Sequence, residues 1–228
     1  MKYIIVDLHT GGFDSTCHSL LSVAMIKTTA NFQRLDDLHV RIRHNTFHVT
    51  SGSLENTGMD LRKSLSWVDA ETARKQILEF LDAPTDVEAS TTLKPGYVAI
   101  GTNIGFDIMF LKQFLGERTV NNLISHRFEE VTSNFRALQK TGVIGSVNGY
   151  MLWQMLAALG ITVDSTATRT ALENAELALQ ASVEMHNRIK LLHEALQTYV
   201  KKYGGNLKPI LKCYREKNPA TRVRTLRK

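Results

Sequence analysis

Acids, amides and cations recur at three places in the sequence where they could act on a common ligand. Residues 7–13 follow a short apolar run, residues 101–107 follow another, and residues 169–174 open a long helical stretch. In a sheet with helices on its faces, strand ends and helix starts of this kind gather at one edge, where ligand sites form. The three segments read Asp7-Leu8-His9-Thr10-Gly11-Gly12-Phe13, Gly101-Thr102-Asn103-Ile104-Gly105-Phe106-Asp107 and Arg169-Thr170-Ala171-Leu172-Glu173-Asn174.

Strands must carry the first two segments. Short apolar or alternating runs predict strands over residues 3–6, 19–27, 38–42 and 97–101. Residues 44–66 are mixed and polar, so we expect a loop with at most one short helix there. Alternation along the first strand puts the side chains at positions 7 and 9 on one side of the sheet.

Helices must carry the third segment and flank the sheet. Strands that alternate with helices predict an α/β domain with a mixed sheet. Because the last helix is unusually long, we expect a break or kink near His186-Asn187. The expected helices are one from the N-cap candidate Asp69 to residues 82–84, one over residues 106–115 closed by Gly116, one over residues 150–159 closed by Gly160, and one capped by a hydroxyl of residues 165–168 and ended by Gly204-Gly205.

Taken together, the three segments resemble the three motifs of the DEDD superfamily of 3′-to-5′ exonucleases. The resemblance is to the His-containing DEDDh branch, which includes ribonuclease T and the proofreading subunit of bacterial DNA polymerase III. The family motifs are Asp-x-Glu-Thr-x-Gly, commonly His-Asn-x-x-Phe-Asp, and His-x-Ala-x-x-Asp, and the likeness spans about residues 1–190. It implies a ribonuclease-H-like mixed sheet flanked by helices, with Asp7 and Asp107 at two of four metal-binding carboxylate positions.

Four positions depart from the family pattern. His9 replaces the Glu of the first motif, Asn174 the final Asp, Arg169 the catalytic His, and Thr102 the His that often opens the second motif. The resemblance therefore implies a catalytic set of Asp7, His9, Asp107, Arg169 and Asn174 in which three members are substituted.

The substitutions predict weak or absent metal binding. Hydrolysis of a phosphodiester by two metals needs hard oxygen ligands that hold two Mg²⁺ or Mn²⁺ ions about 3.5 to 4 Å apart. Asp7 and Asp107 supply two carboxylates where the family has four, and Arg169 would add a positive charge. A single softer ion, Mn²⁺ or Zn²⁺, held with help from His9 and Asn174 stays open as an alternative.

The same positions suggest nucleic-acid contacts. Arg169 cannot take a proton from water at physiological pH, but it can hold a phosphate, unless it pairs with Glu173 or Asp7 instead. Phe13 could stack on a terminal base, the alternative being a place in the core. Thr10 and Asn103 could contact a strand end, the alternative being a capping role.

Composition and charge define the class of protein. Hydrophobic residues make up 43% and charged residues 22%, as in globular proteins, and no apolar run has membrane-spanning length, so we expect a cytoplasmic protein. Cys17 and Cys213 have no spacing that suggests a disulfide or zinc site. Residues 201–228 carry ten basic side chains against one acid, whereas residues 1–200 are slightly acidic. A basic tail suits a polyanion, although it can also serve solubility.

We therefore expect an exonuclease-like domain over residues 1–203 and a basic tail over residues 204–228. The leading hypothesis is a catalytically impaired exonuclease-fold protein that binds single-stranded DNA or RNA, or its 3′ end. The alternatives are an active divergent metal-dependent exonuclease, and a protein-interaction module that uses the long helix and the basic tail. A homodimer or a replication or repair protein is a further candidate partner.

Overall fold

The computed structural model describes residues 2–88 and 94–204, and its contacts divide the chain into two compact units, residues 1–185 and 186–228. The strands are β1 (Lys2–Thr10), β2 (Leu20–Thr28), β3 (Arg34–Arg43), β4 (Val68–Asp69), β5 (Tyr97–Gly101) and β6 (Glu129–Glu130). The helices are α1 (Ser51–Thr57), α2 (Ala70–Phe80), α3 (Ile104–Leu115), α4 (Glu117–Leu123), α5 (Val131–Lys140), α6 (Leu152–Ala158) and α7 (Ala171–Tyr203), with a 3-10 helix at Leu61–Ser66.

In the part of the chain that the structure describes, six strands form one sheet in the order β4-β3-β2-β1-β5-β6. Strand β2 runs antiparallel to both β1 and β3, whereas β5 runs parallel to β1. The predicted mixed sheet flanked by helices is therefore confirmed. Strand β1 lies between β2 and β5, so its polar end is at the centre of the fold.

Strand β1 extends four residues beyond the predicted end at Val6. Asp7, His9 and Thr10 are polar, but residues 7–10 continue the antiparallel ladder, with Asp7 opposite Ala24 and His9 opposite Ser22. Backbone pairing thus continues where the apolar pattern stops. The site segment is consequently part of a rigid strand rather than of a loop.

Two hydrophobic clusters lie on the two faces of the sheet. On one face, Ile4, Val6 and Leu8 of β1 pack with residues of α2, α3 and α4. On the other face, Ile5 packs with residues of α5, α6 and α7. Because consecutive side chains of a strand point to opposite faces, β1 contributes to both clusters and joins the two layers.

The predicted helix starts are partly right. Asp69 caps α2, since its carboxylate accepts a hydrogen bond of 2.9 Å from the Thr72 backbone N–H. The expected cap of α7 by residues 165–168 is wrong. Instead the Thr170 hydroxyl accepts from the Glu173 N–H at 3.2 Å while the Glu173 carboxylate accepts from the Thr170 N–H at 2.7 Å. Such reciprocal bonds form a capping box, which fixes the start of α7.

The predicted break near His186-Asn187 is also wrong, because α7 is one continuous helix of 33 residues, whereas the predicted kink stays a prediction. Its sequence contains neither Pro nor Gly, the residues that break the backbone ladder, and the helix-propensity cost of His or Asn is small. The helix ends at Tyr203, and Gly204 follows with a positive φ of 60°. The domain boundary predicted at 203/204 stays a prediction, since residues 205–228 lie outside the described residues.

Residues 44–66 contain two short helices rather than at most one. Thr50 caps α1 through a 3.2 Å bond from the Ser53 N–H, and Asp60 caps the 3-10 helix through a 3.1 Å bond from the Arg62 N–H. These local caps order a segment that lacks hydrophobic periodicity. Across the described residues, no helix is both long enough and apolar enough to span a bilayer.

Candidate functional site

Asp7, Asp107 and Asn174 lie together where β1, α3 and α7 meet. The Asn174 Nδ2 atom donates a 3.3 Å hydrogen bond to Oδ2 of Asp7. Asp107, in the first turn of α3 and only 4% exposed, accepts a hydrogen bond from the Leu8 backbone N–H. Three sequence segments that are far apart in the chain thus converge on one buried cluster.

Small residues allow this convergence. A Cβ at Gly101 would lie 2.8 Å from the Val6 carbonyl oxygen, so only glycine lets the turn into α3 pass this close to β1. On the other side, Ala171 and Ala175 of α7 are fully buried and bring the backbone of that helix near the sheet. Asn174 therefore reaches Asp7 with its short side chain.

The two carboxyl groups hold protons unusually tightly. Burial raises the pKa of Asp7 to about 7, against the opposing effect of the hydrogen bond from Asn174. Burial, followed by the nearby charge of Asp7, raises the pKa of Asp107 well above its ordinary value. Like charges in a low-dielectric site disfavour double ionisation, so the pair carries less than two full negative charges near neutral pH.

His9 lies on the same side of β1 as Asp7 but in a different electrostatic environment. It is 6% exposed, and burial, together with the charges of His39 and Arg41, lowers its pKa to about 4. The imidazole is therefore neutral at physiological pH. It adds no negative charge where the family carries a carboxylate.

Arg169 lies in the segment that precedes α7 and is half-buried. Its guanidinium donates a hydrogen bond to the Asp164 carbonyl oxygen. Among residues 2–88 and 94–204 it forms no ion pair within 4 Å, so neither of the pairings considered from the sequence, with Glu173 or with Asp7, is present. Arg169 and His9 line a common cavity of about 390 Å³.

The remaining predicted contacts differ in accessibility. Thr10 is buried, and its hydroxyl donates a 2.8 Å bond to the Gly12 carbonyl oxygen, as a turn-forming residue does. Phe13 is 86% exposed and contacts Phe106 edge to face at 6.4 Å, so the alternative of a core position is wrong. Asn103 is exposed, with a left-handed backbone and no capping bond from its side chain.

Glu130 performs the capping that Asn103 does not. Its two carboxylate oxygens accept bonds of 2.9 and 3.0 Å from the backbone N–H groups of Asn103 and Ile104. Sequence reasoning missed Glu130 because it is 27 residues from Asn103 and falls in a strand of only two residues. A capping partner that distant leaves no local pattern in the sequence.

Sequence reasoning also missed the cations of the cavity. Strand β3 was expected only as an alternating run, yet that alternation already separates Leu38, Val40 and Ile42 from His39 and Arg41. The polar side of the run turns out to face the same cavity as His9. The alternation in the sequence therefore indicates which side of β3 is polar. Only the pairing of β3 with β2 places that polar side at the cavity.

The residues present do not fit a pair of divalent cations. In the described ranges no three His, Cys, Asp or Glu side chains are grouped as a metal site. The third side chain at Asp7 is an amide that presents its donor to the carboxylate, and the neutral His9 lies beside the cationic Arg41. Magnesium and manganese prefer several anionic oxygens, which this cluster does not offer.

The sequence matches no protein-family model and no curated protein. Solved structures do match. Exonuclease I of E. coli in complex with a 5cy-dT13 oligonucleotide aligns with a TM-score of 0.65 and 14% identity, over 86% of this chain and 43% of that chain. The zinc-bound complex of the same enzyme with single-stranded DNA aligns with a TM-score of 0.67 and 15% identity, over 86% of this chain and 43% of that chain. Exonuclease I of Methylocaldum szegediense aligns with a TM-score of 0.63 and 16% identity, over 82% of this chain and 40% of that chain.

The chain therefore shares the fold of exonuclease I, a mixed sheet flanked by helices, and the resemblance seen in the motifs is confirmed at the level of the fold. It spans about two fifths of the length of the exonuclease I chains that it matches.

Proposed function

We propose that this protein binds single-stranded nucleic acid, or its 3′ end, through an exonuclease fold whose catalytic centre is impaired. The observation that carries the proposal is the hydrogen bond from the Asn174 amide to Asp7, which stands where the family pattern has a carboxylate. Structures with the same fold are bound to single-stranded DNA, which supports the choice of ligand.

Two deficits account for the impairment. The cluster lacks the negative charge that would offset two dications, because Asp7 and Asp107 are two carboxylates where the family pattern has four, and His9 is neutral. The general base is also missing, because the guanidinium of Arg169 stays protonated at physiological pH.

Exposed side chains around the cluster suit a strand end. Phe13 presents an aromatic face next to the first motif, and stacking of a base on an aromatic ring contributes about 1 to 3 kcal/mol. The Asn103 side chain forms no capping hydrogen bond and is exposed at the start of α3. Arg169 supplies a cation in the cavity that it lines together with His9.

A binding and cleavage assay tests the proposal. We expect the unmodified protein to bind a short labelled oligothymidylate with salt-dependent affinity and to leave it uncut in Mg²⁺, Mn²⁺ or Zn²⁺. Cleavage is expected only in a variant with His9→Glu, Arg169→His and Asn174→Asp, which restores the family residues. Metal-dependent cleavage by the unmodified protein, abolished by Asp7→Ala, would instead establish the divergent active nuclease.

One observation favours a second function. In the second unit, Ile189, Leu192, Leu196 and Val200 are exposed at helical spacing on α7. Such a stripe suits packing against another helix, as in a homodimer or a complex with a protein partner. Light scattering tests the homodimer: a dimer that Leu192→Glu converts to a monomer would support it, whereas a monomeric unmodified protein would exclude it.

The cytoplasmic location stays a prediction.

A further inference from the structure

The cavity beside the candidate site collects cationic side chains from three parts of the chain. The sheet contributes Arg41 from β3, the 3-10 helix contributes Lys63, and the segment before α7 contributes Arg169. The volume of about 390 Å³ lies within the range of pockets that hold small ligands. All of these residues belong to the first unit, residues 1–185.

The positive charge of the cavity is only partly balanced, by attraction between Asp60 and Lys63 and between Glu173 and Arg169 without an ion pair within 4 Å. Its one acidic lining residue, Asp60, is engaged by Arg62 through bonds of 2.8 and 3.0 Å. In the portion of the chain that the structure describes, neither Arg41 nor Lys63 forms an ion pair within 4 Å. Three cations that share a cavity repel one another, so a bound anion would stabilise this arrangement.

Polar side chains of the sheet form the rest of the lining beside Arg41. His9, Ser22 and Arg41 are in register across β1, β2 and β3, and the Ser22 hydroxyl contacts Nε2 of His39 at 3.0 Å. The Trp67 side chain forms another part of the wall. The lining is thus rich in hydrogen-bond donors as well as in charge.

We propose that this cavity binds a phosphate group of a nucleotide or of a nucleic-acid strand through Arg41, Lys63 and Arg169. Guanidinium groups bind phosphate oxygens bidentately, and an ammonium group adds a compact charge. The cavity and the Asp7 cluster share β1 and the segment that leads into α7, so one strand can contact both. That the phosphate belongs to a nucleic-acid strand rests on the proposed function. Binding of a phosphate group by the cavity does not depend on it.

The direct test uses small probes and a matched pair of variants. Binding of thymidine 5′-monophosphate and of inorganic phosphate to the full chain is measured by calorimetry. The double variant Arg41→Gln/Lys63→Gln should bind at least about tenfold more weakly, because each lost contact is a hydrogen bond to a charged group. The control Lys75→Gln/Arg118→Gln removes the same charge from exposed positions on α2 and α4 and should bind as the unmodified protein does.

A second arm uses a short oligothymidylate at several salt concentrations. Loss of two phosphate contacts should lower the slope of log affinity against log salt by roughly 1.4 in the cavity variant, at about 0.7 per contact. The control variant should keep the slope. Circular dichroism spectra establish that all variants are folded.

The two arms separate the possible failures. If the strand binds equally well to the unmodified protein and to the cavity variant, the cavity inference is wrong and the proposed function stands. If thymidine monophosphate binds and is lost in the cavity variant but no strand binds, the cavity inference stands and the proposed function is wrong. If neither probe nor strand binds the unmodified protein, both are wrong.

Discussion

Two buried carboxyl groups and one amide define the chemistry of this molecule at the scale of single residues. In an active enzyme of this fold class, metal ions would offset the carboxylate charge. Here Asp7 is neutralised in part by its own proton and by the Asn174 amide. The cluster is therefore a local source of instability, as functional sites often are.

Substitution of Asp7→Asn should stabilise the protein at high pH. The folded-state pKa of about 7 exceeds the ordinary value of 3.8, so the folded state binds the proton more tightly and stability falls as pH rises from about 4 to 7. The asparagine carries no charge and escapes this loss. Urea unfolding should show a gain on the order of 4 kcal/mol at pH 8 and almost none at pH 4.

The control for this prediction is Asp14→Asn. Hydrogen bonds from Thr16 hold the pKa of Asp14 below its ordinary value, so the sign is reversed and the charged form stabilises the fold above that value. We expect no gain at pH 8 for this exposed residue. An equal gain in both variants would mean that general charge reduction, not the buried cluster, is responsible.

Gly11 is required by close approach rather than by backbone angle. A Cβ there would lie 2.1 Å from the His48 carbonyl oxygen, an impossible contact with backbone atoms. Gly11→Ala should therefore lower the free energy of unfolding by about 2 kcal/mol or more, as overpacking does. Gly52→Ala is the matched control, because nothing lies within 4 Å of its Cβ in α1, and it should be neutral or slightly stabilising.

At the scale of elements, hydrophobic pattern predicted what is buried but not what is paired. Strand β5 and helices α2 and α3 follow directly from their apolar spacing and end residues. Short elements such as β4, β6 and α4 carry too few residues for a periodic signal. The apolar run predicted β1 only as far as residue 6, and the pairing with β2 determines that the strand continues to Thr10.

Helix α7 illustrates the same limit. Ala171, Ala175, Ala178 and Ala181 are the residues of this helix that reach the core, while Leu172 and Leu179 pack at its margin. Small side chains let the helix lie close to the sheet. The position of Asn174 against Asp7 depends on this closeness, which periodicity alone does not reveal.

Ala175→Leu should therefore disturb both packing and site. The larger side chain forces α7 away from the sheet, at a cost of about 1 to 3 kcal/mol in the free energy of unfolding. Gln180→Leu places the same side chain at an exposed position of the same helix and should have little effect. Equal unfolding midpoints for the two variants in urea would contradict the packing described for α7.

At the scale of the whole molecule, the chain combines a slightly acidic body with a basic C-terminal segment. Deletion of residues 205–228 removes eight basic side chains and one acid. We expect the oligothymidylate affinity of the shortened chain to fall about tenfold at low salt, with a shallower salt dependence, because fewer cations displace counterions. Thermal unfolding should be unchanged, and an unchanged affinity would assign the segment to solubility instead.

The motifs predicted the fold correctly because three ordered matches constrain strand and helix placement together. They could not show the state of the site, since the ionisation of Asp7 and Asp107 depends on burial and on mutual distance. The cationic cavity was likewise invisible, because Arg41, Lys63 and Arg169 come together only in three dimensions. The sequence thus identifies the residues that depart from the family motifs, and the structure shows which groups surround them.

The Asp7 cluster lacks the ligands to hold two divalent cations, and this is the central prediction for the protein. Crystals soaked in Mn²⁺ test it directly, because anomalous scattering locates each ion. We predict no pair of manganese ions beside Asp7 in the unmodified protein and a pair in the variant with His9→Glu, Arg169→His and Asn174→Asp. Two ions bridged by Asp7 in the unmodified protein would contradict the account.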